Sequence, residues 1–179
     1  MTIKYNNVFI EDAYTICGNY ENDGPLSKYF DKKYAKDLYF GEKSWEQAEV
    51  HLLKEANTNI LKKNKLKEED IDLLISGDLQ NQIAASNYMA REFNIPFLGI
   101  FEACSTSGEG LAIGSTYIEG GFAKKVLVST SSHNMAAEKQ FRNPTEYGTP
   151  KPKTATFTST GGVSILLSNK KSKVKVESS

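Results

Sequence analysis

Cysteine and histidine are scarce in this 179-residue chain, two of each. Cys17 and Cys104 stand 87 positions apart, which is neither a disulfide framework nor a metal-ligand spacing. A reducing compartment is the default expectation. Arginine is nearly absent: of 22 basic residues, 20 are Lys and the others are Arg91 and Arg142. Bidentate readout of guanine leans on Arg, and no zinc-finger or RNA-recognition pattern occurs, so nucleic acid is not an expected partner. No apolar run approaches the ~18 residues a membrane span needs. The start, MTIKYNNVFIEDAYTIC, lacks a basic segment followed by an unbroken apolar one, so no signal peptide is expected. No phosphate-binding glycine loop follows the first strand, and no cofactor is implied. Repeats and low-complexity tracts are missing too.

What is present is a foldable composition, with 25% charged and 11% aromatic residues. The zero formal charge conceals an asymmetry. Residues 1–150 hold 16 basic and 21 acidic groups, whereas residues 151–179 hold six Lys and one Glu. The Lys-rich end reads as a solvated tail or linker.

Elements alternate along the chain. A strand is expected over 7–17, then a turn-rich aromatic excursion over 18–43 (Tyr20, Tyr29, Phe30, Tyr34, Tyr39, Phe40), read as a lid or as apolar cover for an interface. Ser44 and Gln47 form a capping box, followed by Trp45, Ala48, Leu52, Ala56 and Ile60 at helical spacing, with Glu and Lys on the other face and His51 at the surface. IDLLIS (71–76) and FLGIF (97–101) are short apolar runs typical of buried strands, separated by a helix over 82–93. A further helix spans 105–120 and a strand 126–130. Three prolines break the pattern between Phe141 and Thr156, after which 161–168 and 173–177 read as strands. The expected fold class is α/β, a mixed, mostly parallel five-stranded sheet with helices on both faces.

FEACSTSGEG carries the clearest chemistry. Cys104 is placed where a strand passes into a helix, and the unpaired N–H groups and dipole of a helix start favour a thiolate and can hold an oxyanion. A buried structural Cys is the competing reading. The helix that follows is rich in Gly and Ala (Gly108, Gly110, Ala112, Gly114) and nearly uncharged, which predicts close packing against another backbone and burial on both sides. On the same rim, where parallel strands end, lie Gly77, Asp78, Asn81, Gln82, His133 and Asn134. His133 reads as a general base, a ligand donor or a structural imidazole. Asn81 and Gln82 read as rim amides or as helix-start residues.

The order of elements and the Cys elbow resemble the first half of the thiolase and 3-oxoacyl synthase superfamily. More closely, DGPLSKYFDKKY, EEDIDLLISGDLQNQ, ASNYMAREFNIPFLGIF, ACSTSGEG, GGFAKKVLVSTSSHN and EKQFRNPTEYGTPKPKTATFTSTGG resemble the stage V sporulation AD family, thiolase-fold proteins of spore-forming bacteria. The resemblance implies a non-catalytic sporulation protein. It would bind dipicolinic acid, free or as its calcium chelate, and act with the spoVA membrane proteins in filling the spore and in germination, peripherally at the spore inner membrane.

Carried onto this sequence, Cys104 takes the nucleophile position without acting as a catalyst. Cys104, Asn81, Gln82, His133, Asn134 and Arg142 are the expected ligand contacts. The resemblance also makes residues 1–179 one N-terminal domain, with 169–179 starting the crossover to a second half. That half, or a second copy, would then cover the Gly-rich helix. The runner-up readings are a Cys-dependent condensing enzyme and a structural dimerisation module.

Overall fold

The computed structural model describes residues 2–142, 154 and 156–179, without the side chain of Arg142. Its strands are β1 (Phe9–Cys17), β2 (Lys32–Lys33), β3 (Leu73–Asp78), β4 (Phe97–Gly99), β5 (Lys125–Ser132), β6 (Gly161–Ser168) and β7 (Val174–Lys175). Its helices are α1 (Asn19–Asn22), α2 (Trp45–Asn64), α3 (Ala84–Ala90), α4 (Thr106–Glu119) and α5 (Asn134–Ala137). The sheet runs β2-β1-β6-β5-β3-β4, with β7 also paired to β1. β3 pairs in parallel with β4 and β5, and β1 with β2; β6 is antiparallel to both β1 and β5, and β7 to β1. Five strands carry the mixed α/β sheet as expected, and β2 and β7 are two-residue additions at its β1 side.

Helices cover both faces. α2 and α3 pack Leu53, Ile60, Leu61, Ala85 and Met89 against Leu74, Leu127 and Leu166. On the other face, Ile118 of α4 joins Ile75, Val126, Val128 and Leu167. Ser44 caps α2 by accepting from the Gln47 N–H at 3.2 Å, but Gln47 reaches back to the Lys43 N–H rather than to the cap residue itself. α3 starts two residues later than expected, because Gln82 and Ile83 take left-handed φ angles of 59° and 49°.

The glycines of α4 work differently from expectation. They admit the sheet's side chains rather than a second backbone: a Cβ at Gly110 would lie 2.6 Å from Val128 Cγ1, and one at Gly114 would lie 2.9 Å from Leu167 Cδ1. Only the sheet-facing side of α4 is fully buried. Ser107, Gly108, Thr116 and Tyr117 are exposed, and Leu111, Ala112 and Ile113 half-buried. The final residues return alongside the first ones, with the Ile3 and Tyr5 N–H groups bonded to Ser179 O and Glu177 O at 2.9 Å each.

The excursion over 18–43 is cover for the chain's own core. Tyr34 and Phe40 pack together with centroids 4.4 Å apart, and Phe40 is buried against Ala48, Leu52 and Ala56. His51 is not a free surface residue. Its Nδ1 lies 3.0 Å from Glu42 Oε1 and its Nε2 3.1 Å from the Tyr34 hydroxyl, which itself donates to Glu55 at 2.8 Å. This network ties the excursion to α2.

Candidate ligand cleft at the Cys104 elbow

Parallel strands β3, β4 and β5 end on one rim, and the chain leaving β4 turns there into α4. Residues 103–105 form a single tight turn whose middle residue is Cys104, exposed to solvent. Ala103 sits at φ 47°, a left-handed conformation held by hydroxyls on both sides. Thr106 Oγ1 donates to Ala103 O at 2.8 Å and accepts from the Glu102 N–H, while Ser105 Oγ donates to Glu102 O at 2.9 Å. The thiol is therefore presented immediately before the N-terminus of α4.

Around it opens a cleft of about 610 Å³. Its floor is made by Gly77 and Asp78 of β3, Thr106 and Ser107 of α4, and Thr130, Ser131 and Ser132 of β5. Phe101, Phe141 and Phe157 also line it. All three rings are more than half exposed. None of the described lining residues is Lys, Arg or His.

The expected contacts divide. Cys104 lines the cleft; Asn81, Gln82, His133 and Asn134 do not. Asn81 and Gln82 are exposed on the strained turn before α3, where the Asn81 N–H is held by Gln140 Oε1 at 3.0 Å. His133 is fully buried: Nε2 pairs with Leu38 O at 2.8 Å, Nδ1 accepts from the Ala136 N–H at 3.4 Å, and Phe40 stacks edge-on. Burial pushes its imidazole pKa down, so it is a neutral structural side chain that caps α5 and anchors the excursion. Asn134 is also structural. Its N–H donates to Thr160 Oγ1 at 2.8 Å and its amide to Thr158 O at 3.1 Å, which fixes the strand entering β6. The Arg142 side chain lies outside the described residues.

Beneath the cleft lies a feature that helical periodicity had placed on the polar face of α2. Glu49 is wholly buried, with Oε1 accepting from Ser131 Oγ and Oε2 from Gln80 Nε2, each at 3.0 Å. Asp78, 2% exposed, accepts from the Gln80 N–H at 2.9 Å and the Ser86 N–H at 2.7 Å. Burial, with Asp78 nearby, raises the Glu49 pKa from 4.5 to about 7, and burial raises that of Asp78 as well. Two residues back along the same strand faces, Ser76, Ser129 and Ser164 stand side by side in register, and Asn57 of α2 joins Ser129 and Ser164. Glu49 lies eight positions before Asn57, so the two face the same polar seam. That spacing was the available sequence signal.

The 179 residues match, over their full length, the family model described as Stage V sporulation protein AD. The chain belongs to the stage V sporulation protein AD family. The stage V sporulation protein AD of Bacillus subtilis (strain 168) is 48% identical over 171 residues, covering 96% of this chain and 50% of that relative. The chain thus spans about half the length of the curated relative it matches. Among solved structures, acetamide-bound OleA of Xanthomonas campestris is similar at a TM-score of 0.60 and 15% identity, over 93% of this chain and 59% of that one. The 3-oxoacyl-[acyl-carrier-protein] synthase III of Aquifex aeolicus VF5 gives 0.55 and 17%, over 96% and 55%. At these identities the likeness shows the fold, which is thiolase-like.

The two cysteines should separate cleanly in alkylation. Cys104 is exposed, whereas Cys17 is fully buried and its thiol pKa is raised by burial. Iodoacetamide is expected to add once to the native protein, at Cys104, and a second time only after unfolding. Mass spectrometry of the digested adduct checks this; modification of native Cys17 would contradict the packing at the end of β1.

Proposed function

We propose that the cleft at Cys104 binds dipicolinic acid, free or as its calcium chelate, without acyl transfer. On this reading the protein serves the uptake of the compound into the spore and its release at germination. The observation that carries the reading is the character of the cleft. Three phenylalanines line the cleft and offer apolar faces to a planar aromatic ring, and hydroxyls together with the α4 N-terminal amides offer hydrogen bonds to carboxylates. Membership of the sporulation family supports the same ligand.

Acyl transfer at Cys104 needs a proton acceptor within hydrogen-bond reach. The cleft has no His among its described lining residues, and both nitrogens of His133 are engaged elsewhere. The second reading, a Cys-dependent condensing enzyme, draws on the exposed thiol at a helix start and on the thiolase-like fold.

No helix among the described residues is long and apolar enough to cross a membrane. On the dipicolinate-binding reading the protein acts with the spoVA membrane proteins peripherally, at the spore inner membrane. The half-exposed outer face of α4 would be covered by a C-terminal half or by a second copy.

Calorimetric titration of the full-length protein with dipicolinate tests the proposal. Saturable heat, competed by the calcium chelate, is the expected result. Absence of heat with both ligands, or an acyl group transferred from acyl-CoA to Cys104, would count against it.

A further inference from the structure

Glu49 and Asp78 are two buried carboxyls, neither of them ion-paired with a cation among the described residues. The charged and titratable groups around Glu49 come from four elements. α2 itself contributes Glu46, whose carboxylate is paired at 2.8 Å with Lys139 of the π-helical segment Glu138–Arg142. That segment also carries Glu138, which accepts from Thr158. β3 contributes Asp78, and α5 is capped by neutral His133. β5 supplies Ser131 and no charge. Among the described residues no Lys, Arg or His forms an ion pair with Glu49.

Two neighbouring buried carboxylates without a counter-charge do not both stay ionised at low cost. The donors decide which one keeps the charge. Asp78 accepts from the Gln80 and Ser86 N–H groups, which can only donate, and also has the Ser86 hydroxyl as a partner. Glu49 faces the Gln80 amide, the Leu79 N–H and one reversible partner, the Ser131 hydroxyl. A hydroxyl can donate or accept, and its hydrogen rotates to suit. Ser131 is half-buried, its hydroxyl is bonded to Glu49, and the residue is among those lining the Cys104 cleft.

We propose that the proton on Glu49 sets the polarity of Ser131, so that an anion enters the cleft together with the uptake of one proton. When Glu49 is ionised, Ser131 spends its hydrogen on Oε1 and presents lone pairs to the cleft. When Glu49 is protonated, its O–H donates to Ser131 Oγ, and the Ser131 hydrogen is freed to donate to a bound carboxylate. The proton comes from solvent, and no other bond forms or breaks. This inference rests on the reading of the cleft as an anion site and adds the protonation that accompanies binding.

The test compares the full-length wild type with Glu49→Gln and Ser131→Ala, titrating dipicolinate across pH 6 to 8, where the ligand stays a dianion. Two buffers of different ionisation heat give the number of protons taken up. The wild type should lose up to about tenfold in affinity per pH unit on the alkaline side, as one linked proton requires. Glu49→Gln, whose amide donates permanently to Ser131, should bind at the acid-side level throughout. Ser131→Ala should bind at the weaker level throughout. A flat wild-type profile, or a Glu49→Gln slope equal to the wild type's, overturns the inference.

If dipicolinate fails to bind at every pH, the ligand reading falls, and infrared titration of the free protein decides the proton separately. A protonated-carboxyl carbonyl band at pH 6 that fades toward pH 8 and is missing in Glu49→Gln upholds the proton on Glu49. Its absence from the wild type refutes it.

Discussion

At pH 8 the Glu49→Gln protein is expected to melt several degrees above the wild type, and at pH 5 the two are expected to converge. The folded-state pKa of Glu49 is raised from 4.5 to about 7, with burial the largest cause and Asp78 the second. Between those values the folded chain binds more protons at this site than the unfolded chain. Stability from Glu49 is therefore complete below the lower value and is lost as pH rises through the upper one. The full span is roughly 3 kcal/mol, which for a chain of this size amounts to about 6–12 °C in melting temperature. Gln keeps the shape and both hydrogen bonds but has no proton to lose.

Asp12, Glu46 and Glu119, whose pKa values are lowered, lose their stabilisation in the opposite direction, as pH falls. They are unchanged in the variant and cancel in the difference. Thermal melts of both proteins at pH 5, 6, 7 and 8 check the prediction, and parallel curves would show that Glu49 does not titrate in this window.

Gly77→Ala should be the most damaging of the small substitutions. Gly77 is a β3 residue on the floor of the cleft, and a Cβ there would lie 2.3 Å from the Ile100 carbonyl oxygen and 2.5 Å from Thr106 Cγ2. The first obstacle is backbone and cannot rotate away. The chain from Ile100 to Thr106, which is the Cys104 elbow, has to shift. The expected cost is about 3 kcal/mol, the upper part of the usual range for overpacking. Dipicolinate binding and the alkylation rate of Cys104 should change with it.

Gly108→Ala is the matched control in the first turn of α4. Nothing lies within 4 Å of its Cβ position, so the change should be neutral, or stabilising by up to ~1 kcal/mol. Urea denaturation of the two variants distinguishes them. Equal stability would mean that the β3–elbow contact is looser than described.

Much of the fold was legible because burial writes itself into apolar runs. IDLLIS lies inside the sheet between α2 and α3 on one face and α4 on the other, as its apolar run implies. FLGIF does not follow that reading: it holds the edge strand β4, half-buried at Phe97 and Leu98 and exposed at Gly99 and Phe101, because only β3 pairs with it. β7 falls within the strand expected over 173–177, though only two residues of it pair with β1, whereas β2 was harder to read, since a two-residue strand fixed by backbone pairing with β1 leaves no periodic pattern. The late start of α3 depends on two successive left-handed residues, Gln82 and Ile83, for which neither side chain gives a cue.

The site was legible in part. The Cys elbow and the Gly77-Asp78 rim follow from strand-to-helix order. His133 and Asn134 fall next to the rim in sequence, yet they are drawn inward by the Leu38 carbonyl and by Thr158 and Thr160. Glu49 was hidden for another reason. A charged residue on an amphipathic helix is ordinarily solvated, and the Ser131 hydroxyl together with the Gln80 amide makes the burial of this one tolerable.

The central claim is that the Cys104 cleft is a binding site rather than a catalytic one. A crystal structure of the full-length protein grown with dipicolinate and, in parallel, with acyl-CoA tests it most directly. The account predicts planar ligand density in the cleft lined by Phe101, Phe141 and Phe157 and an unmodified Cys104 in both crystals. Thioester density on Cys104, or dipicolinate bound elsewhere with the cleft empty, would contradict it.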